Sequence, residues 1–109
     1  MSSLARSTFA TLLFLVNPAR AVADCDLDEL IGYTLATSKY VSGYIENNER
    51  KNGFEGCNYD RIIVFDDNTG LRCTSYSYTY AYHPKAYIFV NGSSIQACIS
   101  GSIYNLGPL

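Results

Sequence analysis

A small, mainly β, disulfide-bonded fold is predicted by three features of this 109-residue chain. Tyrosine recurs at every second position from Tyr76 to Tyr82. Short β-branched and aromatic runs alternate with Gly, Asn, Asp and Pro turn signals. All four cysteines lie beyond an N-terminal stretch that reads as an export signal.

In that stretch Arg6 supplies a positive start, and residues 9–16 form an apolar run. The run falls short of the roughly 20 residues that a bilayer span requires. Ala21-Val22-Ala23 fits the small-x-small cleavage rule, which places the cut before Asp24. Asp24 stands where a lipidation signal wants a small residue, so Cys25 is not expected to carry a lipid. The expected organisation is a cleaved signal peptide over residues 1–23 and one small β-rich domain over residues 24–109. The short, alanine-rich signal has a bacterial character, and the domain is expected in the periplasm or outside the cell. Cleavage removes Arg6 and Arg20 from a chain whose net charge is already −2. The remainder has no cluster of Lys and Arg, so neither nucleic acid nor an anionic membrane surface is an expected partner.

Residues 24–30 carry their acids in what would be the first turn of a short helix, and Gly32 would end it. Residues 33–45 suit one or two strands. Residues 46–56, polar with two glycines, read as the longest loop. Residues 61–65 form a β-branched strand, and Asp66-Asp67-Asn68-Thr69-Gly70 is a hairpin turn. The tyrosine strand follows over residues 71–82. Pro84 cannot continue a ladder and turns the chain. Residues 86–90 and 94–99 flank the tight-turn pair Asn91-Gly92. Only a short edge strand around Ile103 and Tyr104 is expected beyond them.

Four strands joined by three short turns make an antiparallel meander. With Asp67 opposite Gly70 and Tyr82 opposite Ala86, the tyrosine side carries Ile63, Phe65, Ile88 and Val90. The small-residue side carries Ile62, Val64, Tyr87 and Phe89. Both sides are apolar, so the sheet is expected to curl into a barrel or to be covered by the N-terminal helix. The small residues of the central strand suit the inside of a tight curl, which turns the tyrosines outward or under the helix. Cys25, Cys57, Cys73 and Cys98 read as a disulfide framework. No C-x-x-C pair exists, so no zinc site is expected. In these registers Cys73 lies near the hairpin turn, far from Cys57, and the pairing leans towards Cys57–Cys98 with Cys25–Cys73.

Tyr76, Tyr78, Tyr80 and Tyr82 are the candidate ligand-binding residues. Side chains of a strand alternate between faces, so the four rings share one face at a spacing of roughly 6.6 Å. Such a row suits stacking on sugars, gripping an extended peptide or contacting a protein; equally, it suits covering a core. His83, the only histidine, supports an alternative as a small hydrolase with a carboxylate such as Asp60 or Glu55. The acidic turn at Asp66 lacks the spacing and final Glu of a calcium loop. Asp24, Asp26, Asp28 and Glu29 read as a helix start. Asn91-Gly92-Ser93 matches a glycosylation sequon inside a hairpin turn. Arg61 and Arg72 read as surface charges flanking the first hairpin. No catalytic, cofactor or metal motif is present.

The string Phe54-Glu55-Gly56-Cys57-Asn58-Tyr59-Asp60-Arg61, the run Ile62-Ile63-Val64-Phe65-Asp66-Asp67, then Cys73 and the Tyr-x-Tyr-x-Tyr stretch to Pro84 carry a resemblance. With Ile31-Gly32-Tyr33-Thr34 and Ser42-Gly43-Tyr44, they resemble a group of small exported bacterial proteins of unassigned function. The resemblance implies an exported, small, β-rich protein and carries no activity, ligand or catalytic residue. The expected function is a non-catalytic binding or interaction module for a protein, peptide or glycan. The alternatives are the His83 hydrolase and a secreted enzyme inhibitor.

Overall fold

A computed structural model describes residues 24–109 of the chain. The signal peptide read at residues 1–23 lies outside them. Seven strands form one antiparallel sheet: β1 (Thr34–Glu46), β2 (Glu49–Asn52), β3 (Ile62–Phe65), β4 (Gly70–Cys73), β5 (Lys85–Asn91), β6 (Ser94–Ile99) and β7 (Ser102–Gly107). Their order is β2-β1-β3-β4-β7-β6-β5, and β5 also pairs with β1. The sheet therefore closes into a six-stranded barrel, with β2 attached outside as a spur on β1. Closure removes the two edges that the six wall strands would otherwise expose, and leaves the outer edge of β2.

The turns are built from residues that tolerate a positive φ. Asn47 (55°) and Asn48 (65°) make the two-residue turn between β1 and β2, and Ser100 (51°) and Gly101 (83°) make the one between β6 and β7. Both fit type I′ geometry, whose twist matches that of the flanking strands. Between β3 and β4 the chain turns over Asp66 and Asp67 to Asn68 (φ 67°), with the Phe65 carbonyl accepting from the Asn68 N–H. β1 serves both sides of the closure. Its first part pairs with β5 from Thr34 to Tyr40, and its second part pairs with β3 from Val41 to Ile45. Gly43 sits where β2 crosses close by: a Cβ there would lie 2.3 Å from the Lys51 carbonyl oxygen.

The barrel interior holds Val41, Ile63, Phe65, Cys73, Ala86, Ile88, Ala97, Ile99, Tyr104 and Leu106. A second, smaller cluster lies on the outer wall, where Leu30 packs with Phe89 beside the Cys25–Cys98 disulfide.

Barrel closure is thus as expected, but its route is not the meander. β4 pairs with β3 and β7, and β5 pairs with β1 and β6. Ile63 stands opposite Leu71 and Val64 opposite Gly70, a shift of three residues from the expected register. An odd shift exchanges the two faces of a strand. Ile63, Phe65 and Ile88 therefore share the interior with Leu71 and Cys73.

The same shift overturns the expected disulfide pairing. The Cys73 N–H donates to the Arg61 carbonyl, and a turn closed by the Arg61 N–H on the Asn58 carbonyl carries Cys57 back onto Cys73. The bridges are Cys57–Cys73 and Cys25–Cys98, with Cα separations of 5.5 and 6.2 Å.

Other expectations are corrected as well. The helix of residues 24–30 is one 3₁₀ turn, Leu27–Leu30, capped by the Asp26 side chain accepting from the Asp28 N–H. Leu30 is the one side chain it buries. The loop of residues 46–56 contains β2, whose four residues are all exposed. The C-terminal strand is not an edge: β7 lies between β4 and β6, with Tyr104 buried.

Candidate functional site

The tyrosine segment leaves the barrel after Cys73. Thr74 is tied to β7 through its N–H and hydroxyl, both donating to the Asn105 carbonyl. The chain then crosses the segment of residues 54–57 and pairs with it at two isolated antiparallel bridges, Phe54 with Ala81 and Cys57 with Ser77. Each bridge exchanges two N–H to carbonyl bonds of 2.7–3.1 Å. Gly56 permits this crossing. Its φ is +76°, and a Cβ there would stand 2.1 Å from the Ser77 carbonyl oxygen. Phe54 reaches the barrel core and meets Tyr104 edge to face, with ring centroids 5.3 Å apart.

Arg61 anchors this crossing to the barrel and is buried rather than a surface charge. Its Nη1 donates to the Glu55 and Gly56 carbonyls at 2.9 and 3.3 Å, and its Nη2 to Glu46 Oε1 at 2.8 Å. The guanidinium lies 4.3 Å from the centroid of the Tyr44 ring. Hydrogen bonds from Arg61 and then Asn58 hold the Glu46 carboxyl below its ordinary range. The string around Cys57 that looked like a loop is the footing of the tyrosine segment.

On that footing Tyr76, Tyr78, Tyr80 and Tyr82 are 63, 62, 64 and 82 % exposed. The rings stand outside the core, with Ser75, Thr79 and Ala81 half-buried between them. The aromatic surface continues past Tyr82. His83, at φ 49°, lies 6.2 Å from Tyr82 and stacks on Tyr40 at 5.2 Å. Lys85 Nζ then sits over both Tyr40 and Tyr87. Ser42, Asn52, Gly53, Tyr82 and His83 line a pocket of about 210 Å³ at this end of the row.

The carboxylate that His83 meets is neither Asp60 nor Glu55. His83 Nε2 is 2.8 Å from Asp66 Oδ2, across the mouth of the β3–β4 turn. Ser42 shares the pocket with His83, but its hydroxyl donates to the Val64 carbonyl and accepts from Arg50. No nucleophile is hydrogen-bonded to the imidazole among the described residues. No group of three or more metal-ligating side chains gathers among them either.

Sequence reasoning missed a second concave feature. At the barrel end opposite Phe54, a mostly apolar mouth of about 200 Å³ is lined by Thr37, Lys39, Phe65, Leu71, Ile88 and Ile95. Its signal was the inward alternation of β3 and β4, hidden by the register error. Lys39 rims the mouth, 2.9 Å from Asp67 Oδ2 and 2.8 Å from Thr69 Oγ1. Lys39 and Thr69 thereby account for the Asp67 side chain of the acidic turn. Hydrogen bonds from Thr69 and then Lys39 pull the Asp67 carboxyl down to about 2.

Because that pKa lies below the ordinary aspartate value near 3.9, the Asp67 contribution to stability is present above about pH 4 and drains away as pH falls through about 2. Between about pH 5 and pH 2, melting temperature is expected to fall more steeply for the wild type than for Asp67→Asn. Equal slopes by circular dichroism would remove the Asp67 contribution from the account.

No protein-family model, curated protein or solved structure matches this chain. Any reading of function therefore stands on the geometry alone.

Proposed function

We propose that the protein is an exported, non-catalytic binding module whose contact surface is the row of Tyr76, Tyr78, Tyr80 and Tyr82. One observation carries this reading: four tyrosines that a small barrel has no packing use for stand exposed on one segment, held from behind by two backbone bridges. Exposed apolar rings gain nothing by contact with water, and tyrosine supplies large, stiff contact area at low entropic cost. Two disulfides fit the oxidising compartment in which such a module would act.

Replacing Tyr78 and Tyr80 together by alanine is expected to weaken capture of the partner from periplasmic or culture extract by about 10–100-fold. The melting temperature should stay nearly constant, because both rings are exposed. Unchanged capture would sink the reading.

The His83–Asp66 pair favours a second, weaker reading as an acid–base couple in a small hydrolase. It predicts an activity on peptidoglycan, RNA or peptides that His83→Ala abolishes. A wild type inert across that panel would dismiss it.

A further inference from the structure

The backbone of the tyrosine segment has a free side. In extended chain, successive residues turn their N–H and C=O groups to opposite sides of the strand. Ser77 and Ala81 turn theirs onto Cys57 and Phe54. Tyr76, Tyr78 and Tyr80 alternate with them and turn theirs away. None of these three residues makes a backbone hydrogen bond to another described residue. The barrel closes the ladders of its wall, whereas this segment is held at two isolated bridges on one side and is open on the other.

Open edges are usually blunted by charged side chains, proline or a covering loop. This one has none of them: no charged residue occurs between Arg72 and His83, and Pro84 follows the edge rather than interrupting it. The edge offers a donor and an acceptor at each of three alternate residues, beneath a row of exposed rings. The ligand whose own groups repeat at that spacing is an extended polypeptide. Sugar hydroxyls engage ring faces and have no such repeat.

We infer that an extended polypeptide segment adds as a strand along residues 76–80, with apolar or β-branched side chains at alternate positions lying against the tyrosines. The inference rests on the reading of the tyrosine row as a binding surface, and it names the ligand class.

The test selects random peptides of about ten residues on the disulfide-bonded protein, with the Tyr78→Ala, Tyr80→Ala protein as counter-selection. Amide hydrogen exchange is then followed by NMR with a selected peptide bound. The Tyr76, Tyr78 and Tyr80 amides are expected to slow by at least about tenfold, while those of Ser77 and Ala81, already bonded, keep their rates. N-methylation of the peptide at alternate residues should abolish binding in one phase and spare it in the other.

Failure to select any peptide, or binding that leaves the three amides fast, overturns strand addition. Oligosaccharides that bind in a tyrosine-dependent way without slowing those amides also overturn it, but leave the aromatic surface standing. Slowing that grows with protein concentration and no peptide assigns the edge to a second copy of the chain, and overturns the inference too. If neither peptides nor oligosaccharides depend on the tyrosines, both readings fall.

Discussion

Removing the Cys25–Cys98 bridge by double alanine substitution is expected to cost about 4 kcal/mol, and removing Cys57–Cys73 about 3 kcal/mol. The order follows from the chain length each bridge spans, 73 residues against 16. A longer closed loop restricts the unfolded chain more. Domains of this size have total stabilities of roughly 5–15 kcal/mol, so loss of both bridges leaves little or nothing. Full reduction should therefore unfold the protein near body temperature. Urea denaturation of the two double variants checks the order. A Cys57–Cys73 variant that loses more than the Cys25–Cys98 variant would show that native packing around the crossing, and not chain restriction, sets the cost.

Replacing Arg61 by alanine is expected to remove about 3 kcal/mol. The substitution strands the Glu55 and Gly56 carbonyls and leaves Glu46 without its cation. It also uncovers one face of Tyr44. Arg61→Lys keeps the charge but lacks the planar fork that reaches two carbonyls and a carboxylate together, and should recover less than half of the loss. The damage is local to the footing of the tyrosines, so ligand capture should fall as well, even below the melting temperature. A cost under about 1 kcal/mol in urea titration would make the pair an ordinary surface contact.

Much of the architecture was legible in the residues, and the illegible parts share a cause. The runs read at residues 61–65, 86–90 and 94–99 announce themselves by β-branched content and turn chemistry, and each falls on a strand, at residues 62–65, 85–91 and 94–99. Curling into a barrel followed from apolar character on both faces. Partner choice did not follow, because β1 finds β5 and β4 finds β7 across long stretches of chain that leave no local mark.

Period-two tyrosines suggested a strand over residues 71–82, whereas the strand ends at Cys73 and the segment beyond it is held at two isolated bridges. Alternation records which way side chains point, and says nothing of how many neighbours a strand has. β2 was invisible because Glu49, Arg50, Lys51 and Asn52 are exposed and follow no apolar pattern. Arg61 was misjudged because a sequence shows a charge without its partners. Of the candidate site, the tyrosines and His83 were visible, whereas the Asp66 contact and the Gly56 crossing needed the fold.

The place of β7 bears on how the molecule comes to be folded at all. This last strand, residues 102–107, is the slat between β4 and β6. A nascent chain lacking it has every other strand of the wall yet cannot close the ring, and two unsatisfied strands face each other across the gap. Closure of the ring therefore depends on residues 102–107, and the cooperative step waits for them. In such a topology the pairings that complete the wall join strands distant in sequence, and they form late for that reason.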